Sequence, residues 1–360
     1  MNAQALTPLA FLPAMETELP EHDRVVGMPH PREMLALLGH GAQEAEFLDA
    51  FNTSNLHHAF LLTGPEGIGK ATFAYRAARF LLSGAEPGGM FAASSLAVPA
   101  EARASHLVGH DSHPDLGLLK RRYDAKTKKF RTEISVDDTR ETLSLFEKTA
   151  AFGGWRVIIV DSADDMNTAS ANALLKTLEE PPARAIFFLI SHQPQRLLPT
   201  IRSRCRVMRF NALEDHDLGA LVRGLTGTAV EPDVMVRAGG SIRHALRLSD
   251  PKLRMFLGNV DSVLKGLPRK RGAGIDAIAE ATHRGVEGEV AFADLLETVE
   301  SWLHLRAREA SLAGDVTRAA DIAELWAKMR EEAGVAEAFN LDKRAYVIGL
   351  FESLAALVSE

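Results

Sequence analysis

The segment that most constrains this chain is Gly64-Pro65-Glu66-Gly67-Ile68-Gly69-Lys70-Ala71-Thr72. It follows an apolar run, Ala59-Phe60-Leu61-Leu62, and leads into a stretch from Thr72 to Leu82 whose apolar residues recur at helical spacing. A buried strand that passes through a glycine turn into a helix is the repeating unit of a parallel α/β sheet. The turn also has a chemical use. Glycines let successive backbone N–H groups curl around phosphate oxygens without a Cβ in the way. Lys70 adds a positive charge, and the start of the helix adds a favourable dipole. A strand–turn–helix that needed glycine only for its geometry would have no call for Lys70.

Two further apolar runs extend the α/β pattern. Val157-Ile158-Ile159-Val160 reads as a buried strand ending in Asp161, and Ile186-Phe187-Phe188-Leu189-Ile190 as another ending in Ser191. Between them a helix is expected from about Thr168, its cap, through Leu174, Leu175 and Leu178, stopped by Pro181-Pro182. Residues 84–112 are rich in Ala, Gly, Ser and Pro without a sustained period, and read as an irregular insertion. Past residue 212 the strand signals cease. Three short helices are expected (Asp215 to Leu225, Asp233 to Ala238 and Ser241 to Leu248), with a break at Gly239-Gly240 and a loop from Gly266 to Gly274. Three apolar stripes follow at helical spacing, around Phe292 to Leu303, Ile322 to Met329 and Val347 to Leu354. The expected organisation is therefore a P-loop α/β domain over 1–211, a small helical domain over 212–253 and a larger helical domain over 254–360.

The phosphate loop is incomplete as a catalyst. The residue after its lysine is ordinarily Ser or Thr, whose hydroxyl holds Mg²⁺; here it is Ala71. Thr72 stands one position further, about 100° around the helix, and does not replace it. Asp161 ends the strand where a second nucleotide motif belongs, near the Mg²⁺. An active ATPase would follow it with a glutamate to polarise water, and this chain has Ser162. Asp164 and Asp165 lie beyond the strand end and are expected to point elsewhere. ATP or ADP binding without turnover, and without Mg²⁺, is the expectation.

Composition removes other classes. No stretch approaches eighteen apolar residues in a row, so no membrane span is expected. The first residues lack the basic start, apolar run and cleavage site of a secretory signal. Cys205 is the single cysteine, which excludes an internal disulfide and any multi-cysteine zinc site, and points to the cytoplasm. A net charge of −7 argues against autonomous DNA binding. The basic run Lys120, Arg121, Arg122, Lys126, Lys128, Lys129 and Arg131 reads either as a solvated hairpin or as a DNA contact.

With these residues in view, the chain resembles the delta-prime-type subunits of the bacterial DNA polymerase III clamp loader, members of the AAA+ family. The resemblance rests on Ala173-Leu174-Leu175-Lys176-Thr177-Leu178-Glu179-Glu180-Pro181-Pro182 and Ser203-Arg204-Cys205. Val25-Val26-Gly27, Asn55-Leu56-His57-His58-Ala59, Ser112-His113-Pro114-Asp115 and Gly240-Ser241-Ile242-Arg243 agree as well. Together these cover roughly residues 25 to 248. The resemblance implies an AAA+ domain, a helical lid and a C-terminal helical collar that docks on other subunits. It implies partnership with delta and gamma/tau in a hetero-oligomer that loads a sliding clamp on primed DNA, within the DNA-directed DNA polymerase (a nucleotidyltransferase) holoenzyme.

By the same resemblance, Arg204 is an arginine finger offered in trans to ATP on a neighbouring subunit, and the alternative is a purely local ion pair. Arg202 and Arg206 beside it are its decoys, one of them expected to contact solvent or DNA. Arg243 matches the lid arginine that projects toward bound nucleotide, with a structural role as the alternative. Val26, with Val25 and Gly27, matches the segment beside the adenine, and simple packing is the alternative there. The nucleotide-binding set is thus Val26, Gly64, Pro65, Gly67, Ile68, Gly69, Lys70, Ala71, Thr72, Asp161 and Arg243. Family members commonly carry a four-cysteine zinc module after the phosphate-loop helix; residues 84–112 hold no cysteine, so zinc is excluded. Two other functions stand beside the non-catalytic subunit. One is an active gamma/tau-type loader ATPase. The other is a P-loop kinase, which leaves Ser203-Arg204-Cys205 and the helical last third without explanation.

Overall fold

The apolar runs become the central strands of one parallel sheet in the computed structural model of the protein. Its described residues are 11–12, 21, 23–25, 28–87, 92–126, 129–152, 154–269, 272–283, 285–338 and 341–359. They fall into two units, 1–247 and 248–360.

In the first unit α1 (Gly41–Asn52) precedes β1 (Ala59–Thr63), and the phosphate loop leads into α2 (Lys70–Leu82). The segment read as irregular holds a short helix, α3 (Arg103–Gly109). Then come β2 (Leu116–Lys120), a small hairpin of β3 (Tyr123–Asp124) and β4 (Lys129–Phe130), α4 (Val136–Leu143), β5 (Arg156–Asp161), α5 (Thr168–Glu179), β6 (Ala185–Ser191), α6 (Pro199–Arg202) and β7 (Arg206–Arg209). The five long strands lie in the order β2-β5-β6-β1-β7, every pair parallel. This is the parallel sheet expected of the P-loop α/β domain.

Within each apolar run the two faces of the sheet separate by alternation. Phe60, Leu62, Val157, Ile159, Ile186, Phe188 and Ile190 face a core shared with α1 and α2. Ala59, Leu61, Ile158, Val160, Phe187 and Leu189 face a second core shared with α5. Phe60 and Phe188 stack at 5.9 Å between ring centroids, and Phe73, from the first turn of α2, meets Phe188 edge-on at 6.3 Å. That contact seats the start of α2, and with it the phosphate loop, on the sheet.

The cap of α5 is Asn167, whose side chain accepts from Ser170 N–H, so the expected cap at Thr168 is displaced by one residue. Asn offers the acceptor at the extended position preceding the first helical residue, as an N-cap requires.

A buried cation organises the segment before α1. Arg79, on α2 and 2% exposed, donates to the carbonyls of Arg32 at 2.5 Å and Met34 at 3.1 Å. Burial, with the nearby charge of Arg76, lowers its pKa to about 10. Glu33 closes the same segment, accepting from the His30 N–H at 2.8 Å and from Arg24 at 2.6 Å.

Beyond the sheet, α7 (Asp215–Thr226), α8 (Pro232–Ala238) and α9 (Ile242–Leu248) appear where helices were expected. Gly240 has φ +77, and a Cβ there would lie 2.6 Å from the Leu213 carbonyl oxygen, so the turn into α9 requires glycine.

The second unit is helical: α10 (Pro251–Gly266), α11 (Ala273–Ala281), α12 (Gly285–Leu312), α13 (Val316–Ala338) and α14 (Lys343–Ser359). The first two fill a stretch where the sequence reading placed only a loop, and α11 begins inside that loop. The three expected stripes share one core, in which Phe292, Leu295, Val299, Ile322, Met329, Val347 and Phe351 are buried. The Tyr346 hydroxyl donates to the Met329 carbonyl at 2.9 Å and ties α14 to α13. Among the described residues no helix is long and apolar enough to cross a membrane.

Candidate nucleotide site and the Ser-Arg-Cys arginine

In a parallel sheet, ligands meet the loops that leave the carboxyl ends of the strands. A cleft of about 280 Å³ opens there in the first unit. Its polar side is formed by Glu66 to Thr72, Asp161, Ser162, His192 and Arg243; its apolar side includes Val25, Leu37, Leu221, Leu225, Ile242 and Leu246. Of the expected set, Gly67, Ile68, Gly69, Lys70, Ala71, Thr72, Asp161 and Arg243 meet at this cleft. Gly64 and Pro65 stand behind it, and Val26 and Gly27 lie outside the described residues.

Lys70 is 3% exposed. Its ammonium donates to the Gly64 carbonyl at 2.6 Å and to the Pro65 carbonyl. Burial lowers its pKa to about 8, against the fields of Asp161, Glu66 and Asp164, which favour the charge. The loop's own carbonyls thus hold a cation that is poorly solvated. Asp161 is the complementary case: burial first, and the Asp23 carboxylate second, raise it to about 7 although Lys120, Lys70 and Arg243 pull it down. An apolar wall, a glycine loop and a desolvated lysine fit the base and phosphates of a nucleotide.

For Mg²⁺ the loop is one ligand short: Ala71 offers a methyl group where the metal-holding hydroxyl of an active loop stands. Ser162 is buried and leaves the water-polarising position without a carboxylate.

The neighbouring aspartates differ from expectation in one respect. Asp164 turns away from the cleft, accepting from the Ser191 hydroxyl at 2.7 Å and the His192 N–H at 2.5 Å. Asp165 does reach the cleft, because the short 3₁₀ turn Ala163–Asp165 folds it back, and it pairs there with Arg121 at 3.1 Å.

The start of α9 closes on the loop. Arg243 N–H donates to the Gly67 carbonyl at 3.3 Å, and Arg243 Nη1 stands 3.5 Å from Glu66 Oε1. Gly67, with φ +73, permits this approach: a Cβ would strike Ser241 Oγ and lie 2.5 Å from Arg243 Cβ. Glu66 and His192 are the site residues that sequence reasoning missed. Glu66 occupies a variable loop position. The only signal for His192 was its place just after a strand that ends at the carboxyl side of a parallel sheet.

Arg204 lies at the other end. β7 runs parallel to β1 with Arg206 beside Phe60, so Arg204 precedes the amino end of the sheet. The phosphate loop leaves Thr63 at the opposite end, about 13 Å of strand away. Arg204 is 35% exposed in its side chain, pairs with Glu179 at 2.7 Å and donates to the Thr200 carbonyl at 3.1 Å. Arg206 pairs with Glu46 at 2.9 Å. Burial pushes the Cys205 thiol up to about 12, so this cysteine packs rather than reacts. In the basic run, Lys120 pairs with Glu21, Arg121 with Asp165, and Arg122 and Arg131 both with Asp138, while Lys128 lies outside the described residues. Arg122 and Arg131 brace the β3–β4 hairpin against α4.

Residues 39–214 match the family described as "DNA polymerase III, delta subunit". The chain is 41% identical over 218 residues to the DNA polymerase III subunit delta' of Pseudomonas aeruginosa, a match covering 59% of this chain and 62% of that one. It is 37% identical over 151 residues to the DNA polymerase III subunit delta' of Escherichia coli, covering 42% and 41%. It is 30% identical over 234 residues to the DNA polymerase III subunit gamma/tau of Mycobacterium tuberculosis, covering 62% and 37%. The matches span less than two thirds of the length of each of these relatives.

Proposed function

We propose, from the match of residues 39–214 to the family described as "DNA polymerase III, delta subunit", that the chain is a non-catalytic delta-prime subunit of a clamp loader in the cytoplasm. It works beside delta and gamma/tau subunits in loading a sliding clamp on primed DNA. Its three functional parts are the AAA+ domain 1–211, the lid 212–253 and the collar 254–360, the last serving as the docking element. Arg204 is offered in trans to ATP on a neighbouring ATPase subunit, where a guanidinium stabilises charge on the transferred phosphoryl group. The chain's own cleft holds ATP or ADP without turning it over.

One observation carries this reading: Arg204 is a third exposed at the amino end of the sheet, a strand's length from its own phosphate loop. An arginine so placed serves another molecule or none. The ion pair with Glu179 is compatible with that role, since a half-exposed pair is weak and exchanges readily. Reconstitution of the complex with Arg204→Ala tests it. ATP turnover is expected to fall by about a hundredfold or more, as for other arginine fingers, while assembly by gel filtration is unchanged. Unchanged turnover sinks the reading.

A second reading, a gamma/tau-type ATPase, draws on the intact Gly64–Lys70 loop and on the 30% identity to gamma/tau. It predicts Mg²⁺-dependent hydrolysis by the purified chain, lost on Lys70→Ala. Ala71 and Ser162 speak against it.

A further inference from the structure

We propose that the cleft is selective for a nucleoside diphosphate over a triphosphate, with Glu66 supplying from within the loop the negative charge that Arg243 would otherwise receive from the ligand. This rests on reading the cleft as a nucleotide site and goes beyond it, since that reading alone makes no choice between ADP and ATP.

Glu66 carries the argument by position and by company. It belongs to the phosphate loop and lines the same cleft as Lys70, Arg243 and His192. Its carboxylate stands 3.5 Å from the guanidinium of Arg243, and the Arg243 N–H holds the carbonyl of the next loop residue, Gly67. The absence of a side chain at Gly67 lets Ser241 and Arg243 come this close. Lid and loop are therefore joined by one ion pair and one backbone hydrogen bond that need no phosphate between them. Partial desolvation of Glu66, whose side chain is 52% exposed, favours its neutral form, yet the fields of Arg243, His192, His244 and Lys70 outweigh this and hold its pKa below the ordinary carboxylate value. It is an anion at neutral pH.

A ligand phosphate entering this cleft competes with Glu66 for Arg243 and is repelled by Glu66. A triphosphate brings more charge into that repulsion than a diphosphate does. The usual remedy is Mg²⁺, which neutralises the outer phosphates, and the hydroxyl that would help hold it is missing at Ala71. The remaining cleft arginine, Arg121, is paired with Asp165 at 3.1 Å. Two separate features, an added anion and a lost metal ligand, thus penalise the same additional charge.

Calorimetric titration of the full-length protein with ADP and with ATP, in EDTA and in Mg²⁺, tests the proposal on the wild type and on Glu66→Gln. The wild type is expected to bind ADP at least about tenfold more tightly than ATP in both buffers. Glu66→Gln is expected to gain about tenfold for ATP and about threefold or less for ADP, bringing the two within a few fold. Thermal melts confirm that the variant is folded; the wild-type ratio stands as a test without it. Equal or tighter ATP binding by the wild type overturns the selectivity and leaves the nucleotide site standing. A preference that survives Glu66→Gln unchanged overturns the role of Glu66 and with it the proposal. Binding by the variant alone makes Glu66 a complete block and contradicts selectivity. Failure of both proteins to bind either nucleotide at millimolar concentration overturns the site itself.

Discussion

At the carboxyl end of the sheet Lys70 is 3% exposed with its pKa lowered to about 8, and Asp161 is raised to about 7. At the amino end Arg204 is a third exposed and pairs with Glu179 at 2.7 Å. The same strands, β1 and its neighbour β7, connect the two places. At one end charges are kept where burial opposes them; at the other a charge sits where water already solvates it. A fold that only had to be stable would gain by losing the first pair and would scarcely notice losing the second. The proposed function assigns the buried charges to a retained binding site and the solvated arginine to a neighbouring subunit.

The comparison breaks most severely if the strands between the ends are disturbed. Phe188 is fully buried, stacked on Phe60 and touched by Phe73 at the start of α2. Phe188→Ala is expected to cost about 3–5 kcal/mol in denaturant unfolding. Nucleotide binding and Arg204 function should fall together in the protein that remains, because both ends hang on one core. Loss at one end alone would show that they are supported separately.

Asp161→Asn sharpens the contrast at the carboxyl end. The folded-state pKa, about 7, lies above the ordinary 3.8, so the folded chain binds the extra proton between these values. Stability carried by Asp161 is therefore unimpaired below about pH 4, declines as pH rises through that window and is lowest above about pH 7. Relative to wild type, Asp161→Asn should be more stable by about 4 kcal/mol at pH 8, with the gap closing as the pH is lowered toward 4. A gap that does not vary with pH would place the effect elsewhere. The smallest effect belongs to the amino end: Arg204→Ala should change unfolding free energy by no more than about 0.5 kcal/mol. A larger loss would make Arg204 a structural residue of this chain.

Much of this layout was legible in the residues. The central strands announce themselves as short apolar runs, β-branched or aromatic, ending at Asp161, Ser191 and the glycine loop. The loop's chemistry follows from Lys70, and its deficiency from Ala71 and Ser162. The misses have physical reasons. α3 is seven residues long with few apolar positions, too short to display a period. α10 buries Leu257, Val260, Val263 and Leu264, a stripe overshadowed by the glycines and proline that follow. The pairing of Glu66 with Arg243, and the arrival of His192 beside Lys70, depend on strand order and on the turn at Gly240, which bring together segments remote in the chain. Asp165 was expected to point away because a strand continued straight would carry it past the cleft; a 3₁₀ turn reverses it.

Side-by-side turnover in the reconstituted complex tests the division of labour most directly. Complexes are assembled with Arg204→Ala or with Lys70→Met in this chain, and steady-state ATP hydrolysis is measured for each. Arg204→Ala is predicted to lower turnover by about a hundredfold while Lys70→Met leaves it within about twofold of wild type. Collapse with Lys70→Met and normal turnover with Arg204→Ala would contradict the account, making this chain's own site the working one.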